Sequence, residues 1–210
     1  MGVRVREAAE CSLGEERHMT RRPNARQLSL ADGREIILRP AVGRDALAVL
    51  AYANALFADA AHWVLTEPEE FVHTLDSEAA FFESLDWGRG DQAWLAWDHD
   101  AVVGMLTTEA GRRFKVTHRI SLGMGVAASH RGLGIGRALM AVCIDTARAH
   151  PRVLKVELDV FADNHRAIGL YEQMGFVAEG VSVKYARRKD GSFVDSLSMG
   201  LWLPEPGEPP

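Results

Sequence analysis

Residues 120–140, ISLGMGVAASHRGLGIGRALM, constrain the fold of this chain more than any other stretch. Residues 120–126 are short, apolar and partly β-branched, which predicts a strand. From Gly136 to Ala149 the apolar positions Leu139, Val142, Cys143 and Thr146/Ala147 recur at helical spacing. Between the two lies Arg131-Gly132-Leu133-Gly134-Ile135-Gly136, a glycine-rich loop opening straight into the helix. Such a loop exposes consecutive backbone N–H groups, and the helix dipole adds partial positive charge at the same point. Glycine has no Cβ, so the backbone can approach a bulky anion closely. The expected ligand is a diphosphate.

Two common diphosphate motifs fail on specific residues. A P-loop needs Gly-Lys-Ser/Thr at its end, and this loop ends Gly136-Arg137-Ala138. A G-x-G-x-x-G fingerprint counted from Gly132 meets Arg137 where its last glycine should stand. What fits is Arg-x-x-Gly-x-Gly after a strand ending at Val126, and this resembles the coenzyme A loop of the GNAT superfamily of N-acetyltransferases. Gly123 and Gly125 interrupt the strand, a mark of a bulge or of close backbone approach. In the resembled family this strand splays from its neighbour and pairs with the pantetheine arm. The resemblance thus implies acetyl-CoA contacts at Met124, Gly125 and Val126, and at Arg131, Gly132, Leu133, Gly134, Ile135, Gly136 and Arg137.

A second segment carries the same resemblance. Asn164 is a good N-cap and Gly175 a good C′ residue, bracketing a helix over residues 165–174. An Asn before a helix that carries Tyr171, followed by Gly175-Phe176, is similar to the second GNAT signature. It implies coenzyme contacts from Asn164 and Ala167. The resemblance spans residues 34–203 and is best over 100–203. It implies an α/β GNAT fold with a mixed, mostly antiparallel sheet flanked by helices.

The rest of the chain sets bounds. Its 210 residues suit one domain with tails, and 47% hydrophobic with 25% charged residues is ordinary globular composition. A net charge of −5 argues against a nucleic-acid partner. No apolar run approaches a membrane span, and no signal peptide is evident. Cys11 and Cys143 alone offer no metal site and suit a reducing cytoplasm. Residues 1–27 and 204–210 read as disordered tails around a domain at 28–203, and Met19 is a possible native start. Asp32-Gly33 signals a hairpin between residues 28–30 and 35–38. A helix is expected over 44–56, with Leu47, Leu50, Ala51 and Ala55 on one face. Strands are expected over 92–97, 101–109, 116–126 and 154–161, then a long hairpin over 177–188 and 193–203. Thr66 reads as an N-cap ahead of Glu67, Glu69 and Glu70. In the resembled family this region covers the acceptor, so Glu67 and Glu70 are candidates to hold an ammonium group, beside their plain role at a helix N-terminus. His118 is a candidate for substrate contact or proton transfer.

The implied chemistry is direct attack of a neutral primary amine on the acetyl-CoA thioester. The Val126 N–H would stabilise the oxyanion, and Tyr171 would protonate the leaving thiolate. A small molecule such as an amino acid is the expected acceptor. Glu109, His118 or an ordered water are the candidate bases for a harder amine. A protein N-terminal or lysine acetyltransferase and a non-catalytic acyl-CoA-binding module are the alternatives. The C-terminal hairpin suggests a homodimer.

Overall fold

The structure is a computed structural model that describes residues 22–204. Its strands are β1 (Arg26–Ser29), β2 (Glu35–Pro40), β3 (Gln92–Asp98), β4 (Ala101–Ala110), β5 (Arg119–Val126), β6 (Lys155–Phe161), β7 (Val177–Arg187) and β8 (Phe193–Trp202). They form one eight-stranded sheet in the order β1-β2-β3-β4-β5-β6-β8-β7. Every neighbouring pair is antiparallel except β5–β6, which is parallel. The helical crossover between β5 and β6 makes this exception possible, because parallel neighbours cannot be joined by a tight hairpin. The sheet is therefore mixed and mostly antiparallel, as expected.

Helices α1 (Ala46–Ala60) and α2 (Leu75–Ser84) cover one face; α3 (Ile135–Arg148) and α4 (His165–Gln173) cover the other. The central strand β3 shows why both layers are needed. After Gln92 its run AWLAW is apolar, sending Trp94 and Ala96 into the α3 core and Ala93 and Leu95 into the α1–α2 core. On α3, Leu139, Met140, Cys143 and Ala147 are buried, so the periodicity read from the sequence is the packed face. Burial also pushes the Cys143 thiol up to about 12.

Several expectations need correction. The expected tail over 1–27 reaches too far: Arg26 and Gln27 belong to β1, and the Arg22 guanidinium donates to the carbonyls of Ala41 (2.9 Å) and Phe82 (3.1 Å). The remainder of that tail and the Met19 question fall outside the described residues, as does 205–210. On α1 the buried residues are Ala46, Val49, Tyr52, Ala53 and Ala60, whereas Leu47 is 70% exposed. The alanine-rich sequence supports either face, and packing against β3 and β4 selects the one bearing Tyr52. Thr66 caps nothing: Pro68–Glu70 is a single 3-10 turn, and Thr74 caps α2 by accepting from the Ser77 N–H at 3.2 Å. Strand β5 begins at Arg119 because Phe114–Val116 winds into another 3-10 turn.

Candidate active site

The site begins where the sheet opens. Strand β5 pairs with β4 from Ile120 through Val126, but with β6 only at Arg119, Ile120 and Ser121. Beyond Ser121 the two parallel strands diverge, while β6 stays paired to β8 as far as Phe161. The Ala127 N–H donates to the Val103 carbonyl at 2.9 Å. By alternation along the strand, the N–H groups of Val126 and Met124 then point away from β4, into the gap. Backbone donors inside a sheet need partners, and an extended ligand can supply them.

At the wide end of the gap lies the glycine loop. Gly132 and Gly134 have φ of +84° and +87°, the left-handed region that favours glycine. Gly134 is the N-cap of α3 and carries no capping side chain, so the first N–H groups of the helix are left for a ligand. Arg131, Arg137, His165 and Arg166 line the cavity nearby. Arg131 is held by Asp59 (2.5 Å) and donates its Nε to the Val126 carbonyl at 3.0 Å, tying the loop to the strand end. Arg137 reaches Gln173 at the end of α4 and the sulfur of Met174, which follows it.

The cavity holds about 1040 Å³ and runs from this loop through the gap to the opposite face of the sheet. Tyr171 lines it from α4, with a ring centroid 6.0 Å from that of Phe176. Burial pushes the Tyr171 phenol up to about 12, so it keeps its proton at neutral pH. Asn164 also lines the cavity, and its Oδ1 accepts from the Ala167 N–H at 3.2 Å. Its side chain is thus an N-cap holding α4 in place. Gly125 marks a true close approach, since a Cβ there would fall 2.6 Å from Leu56 Cδ2 and 2.8 Å from the Tyr52 hydroxyl. That hydroxyl is buried without a hydrogen-bond partner, and burial raises its pKa.

The lining therefore contains Met124, Gly125, Val126, Arg131, Gly132, Gly134, Gly136, Arg137, Asn164, Ala167 and Tyr171 together. Leu133 and Ile135 turn their side chains into the core instead, leaving only their backbone toward the loop. The remaining candidates stand elsewhere. Glu67 pairs with Lys189 at 3.0 Å, and the Glu70 carboxylate accepts from the Glu67 N–H at 2.9 Å, so local partners occupy both acids. His118 stands before the far end of β5, stacked on Trp202. Glu109 is exposed beside Arg112. Sequence reading missed Trp63, Leu65, Tyr185 and Ser196, which also line the cavity, and Asp159 on β6. For Asp159 a signal existed: Glu157 and Asp159 are acids at alternate positions of an otherwise apolar strand, hence on one face.

The chain matches the model of the acetyltransferase (GNAT) family over residues 57–176. It is 32% identical over 155 residues to the L-amino acid N-acetyltransferase AaaT of Escherichia coli (strain K12), covering 72% of this chain and 95% of that protein. The chain belongs to the GNAT acetyltransferase family. Among solved structures, a GNAT-family acetyltransferase from Streptococcus pneumoniae superposes with a TM-score of 0.76 at 22% identity, covering 80% of this chain and 99% of that one. The protein yncA from Salmonella typhimurium, solved with its cofactor acetyl-CoA, gives 0.71 at 21% identity, covering 83% and 98%. This GNAT chain is an N-acetyltransferase with the fold of those proteins. No helix among its described residues is long and apolar enough to cross a membrane.

Proposed function

We propose that the protein moves an acetyl group from acetyl-CoA to the primary amine of a small molecule, L-amino acids being the favoured class. The observation that carries this reading is the divergence of β5 from β6 after Ser121, with the glycine loop at its wide end. The unpaired donors of Met124 and Val126 suit the amides of a pantetheine arm. The bare N-terminus of α3 with four nearby cationic or imidazole side chains suits its diphosphate. An acetyl thioester supplies the activated acyl group. The Val126 N–H stabilises negative charge on the acyl oxygen, and the Tyr171 hydroxyl donates its proton to the departing sulfur.

The acceptor end favours a small substrate because it is walled. Lys189, at the turn between β7 and β8, bridges Glu67 (3.0 Å) and Glu69 (3.1 Å) in the connection from α1 to α2. This clasp ties the β7–β8 turn to the connection from α1 to α2. The identity with the Escherichia coli L-amino acid enzyme supports the same class. The free thiol of Cys143 fits a cytoplasmic setting. A homodimer completes the reading, supported by the edge strand β7 with exposed Val177, Val181 and Val183. Light scattering that returned the mass of one chain would remove the dimer.

The test of function is acetyl-CoA-dependent thiol release across a panel of L-amino acids, simple alkylamines and short peptides. Turnover with free amino acids and little with peptides is expected. Release of thiol only with peptides would transfer the protein to the protein-modifying class. No release with any amine, despite coenzyme binding, would leave a binding module.

A further inference from the structure

Asp159 is the only carboxylate among the described residues that line the cavity. The other acid on that face of β6, Glu157, is already engaged by Arg119 (3.3 Å) and Lys155 (3.5 Å). Lys155 in turn reaches Glu179 at 2.6 Å. Asp159 has no cationic partner among the described residues; its one contact is the Ser198 hydroxyl, which donates to Oδ1 at 2.6 Å from the register-paired position on β8. That single bond orients the carboxylate and leaves Oδ2 unengaged.

The register places this group where the two strands begin to part. Arg119 pairs with Lys155 and Ser121 with Glu157, so continuing the parallel register sets Gly123 across from Asp159. This is the first position on that face beyond the last paired residues. The face is the one turned toward α1, as the approach of Gly125 to Tyr52 and Leu56 shows. Gly123 adds no side chain there, and a Cβ on it would meet only Thr107 Oγ1 at 3.8 Å. Open space thus stands beside an unpaired carboxylate, at the narrow end of the slot, on the α1 side.

We propose that Asp159 is the proton acceptor for the attacking amine, an assignment that rests on the acetyl-transfer reading above. The Asp159 carboxylate acts on the neutral amine, not on the ammonium. It can hold the amine by hydrogen bond and take an N–H proton once the forming C–N bond makes that nitrogen acidic. As the C–N bond forms and the C–S bond breaks, one proton passes from nitrogen to Asp159 and one from Tyr171 to sulfur. Asp159 then releases its proton to water and Tyr171 regains one, so amine and thioester become amide and thiol with no net proton gained or lost.

The experiment compares wild type, Asp159→Asn and Asp159→Ala, using the amine of the panel that wild type turns over fastest. Asparagine keeps the shape and an acceptor for Ser198 but cannot take the proton. Turnover should fall about 10²–10⁴-fold with acetyl-CoA affinity by calorimetry little changed. Added formate should restore part of the turnover of the alanine variant, which a merely structural role would not allow. Turnover of the asparagine variant within about threefold of wild type would overturn the assignment while leaving the acetyl-transfer reading intact. A wild type that acetylates none of the panel would instead sink that reading, and the assignment with it.

Discussion

The two faces of the sheet are built from different materials. On the α3–α4 face, Ile120, Leu122, Val156, Leu158, Leu139, Met140 and Cys143 form one buried apolar layer. On the opposite face the apolar layer under α1 and α2 stops at β4. Further across, β5, β6 and β8 present Ser121, Gly123, Asp159, Ser196 and Ser198, which are small or polar. The α3–α4 face is packed over β5 and β6, whereas the other face is left open there. On the proposed function the division also separates the ligands, with the diphosphate cradle on the α3 side and the acceptor wall on the α1 side. They meet only through the gap between β5 and β6.

The largest effect expected from disturbing this division is on the coenzyme side. Gly134→Glu puts a non-glycine residue at φ +87° and a carboxylate at the N-terminus of α3. The strain costs ~1–3 kcal/mol, a tolerable part of a typical ~5–15 kcal/mol stability. Acetyl-CoA affinity should fall beyond calorimetric detection while circular dichroism stays native-like; unchanged affinity would empty the cradle of its role.

Tyr171→Phe keeps the ring against Phe176 and removes only the donor. Turnover should drop about 10²–10⁴-fold with coenzyme affinity preserved. Because burial holds the phenol near about 12, the donor is present below that pH and lost as pH rises through it. Wild-type turnover should therefore show no loss from this group near pH ~10, where a free phenol ionises. A Phe variant as fast as wild type, beside a slow Ala variant, would reduce Tyr171 to a spacer.

A smaller contrast lies within β5. Gly125→Ala forces a methyl to 2.6 Å from Leu56 and should cost ~1–3 kcal/mol, read as a melting temperature several degrees lower. Gly123→Ala meets nothing closer than 3.8 Å and should change stability by less than ~0.5 kcal/mol. Its effect should be a raised KM for the amine, since the methyl enters the acceptor mouth. Equal melting temperatures for the two variants would show that α1 does not press on this strand as described.

The same division explains what the sequence made legible. The α3 face was readable because its signals are local: alternating glycines before a helix, apolar residues at helical spacing, Asn164 and Gly175 bracketing α4. The acceptor wall was not, because distant contacts assemble it. Glu67 looked like an ammonium ligand until Lys189, on the far hairpin, appeared as its partner. Leu47 looked buried because composition offered two faces to α1 and only packing on β3 and β4 chose between them. His118 was placed by its strand, but its position at the far end of β5 separates it from the gap. Asp159 carried a legible alternation with Glu157, yet its isolation from cations is a fact of three neighbouring strands.

Hydrogen exchange of the β5 amides, followed by NMR with and without acetyl-CoA, probes the gap itself. The Met124 and Val126 N–H groups should exchange readily in the free protein and slow by ~10-fold or more when acetyl-CoA is bound. Ile120, already paired on both sides, should change little. Protection at Met124 and Val126 would establish the divergence of β5 from β6 as the coenzyme slot. Unchanged exchange at both, under conditions where calorimetry shows acetyl-CoA bound, would contradict it.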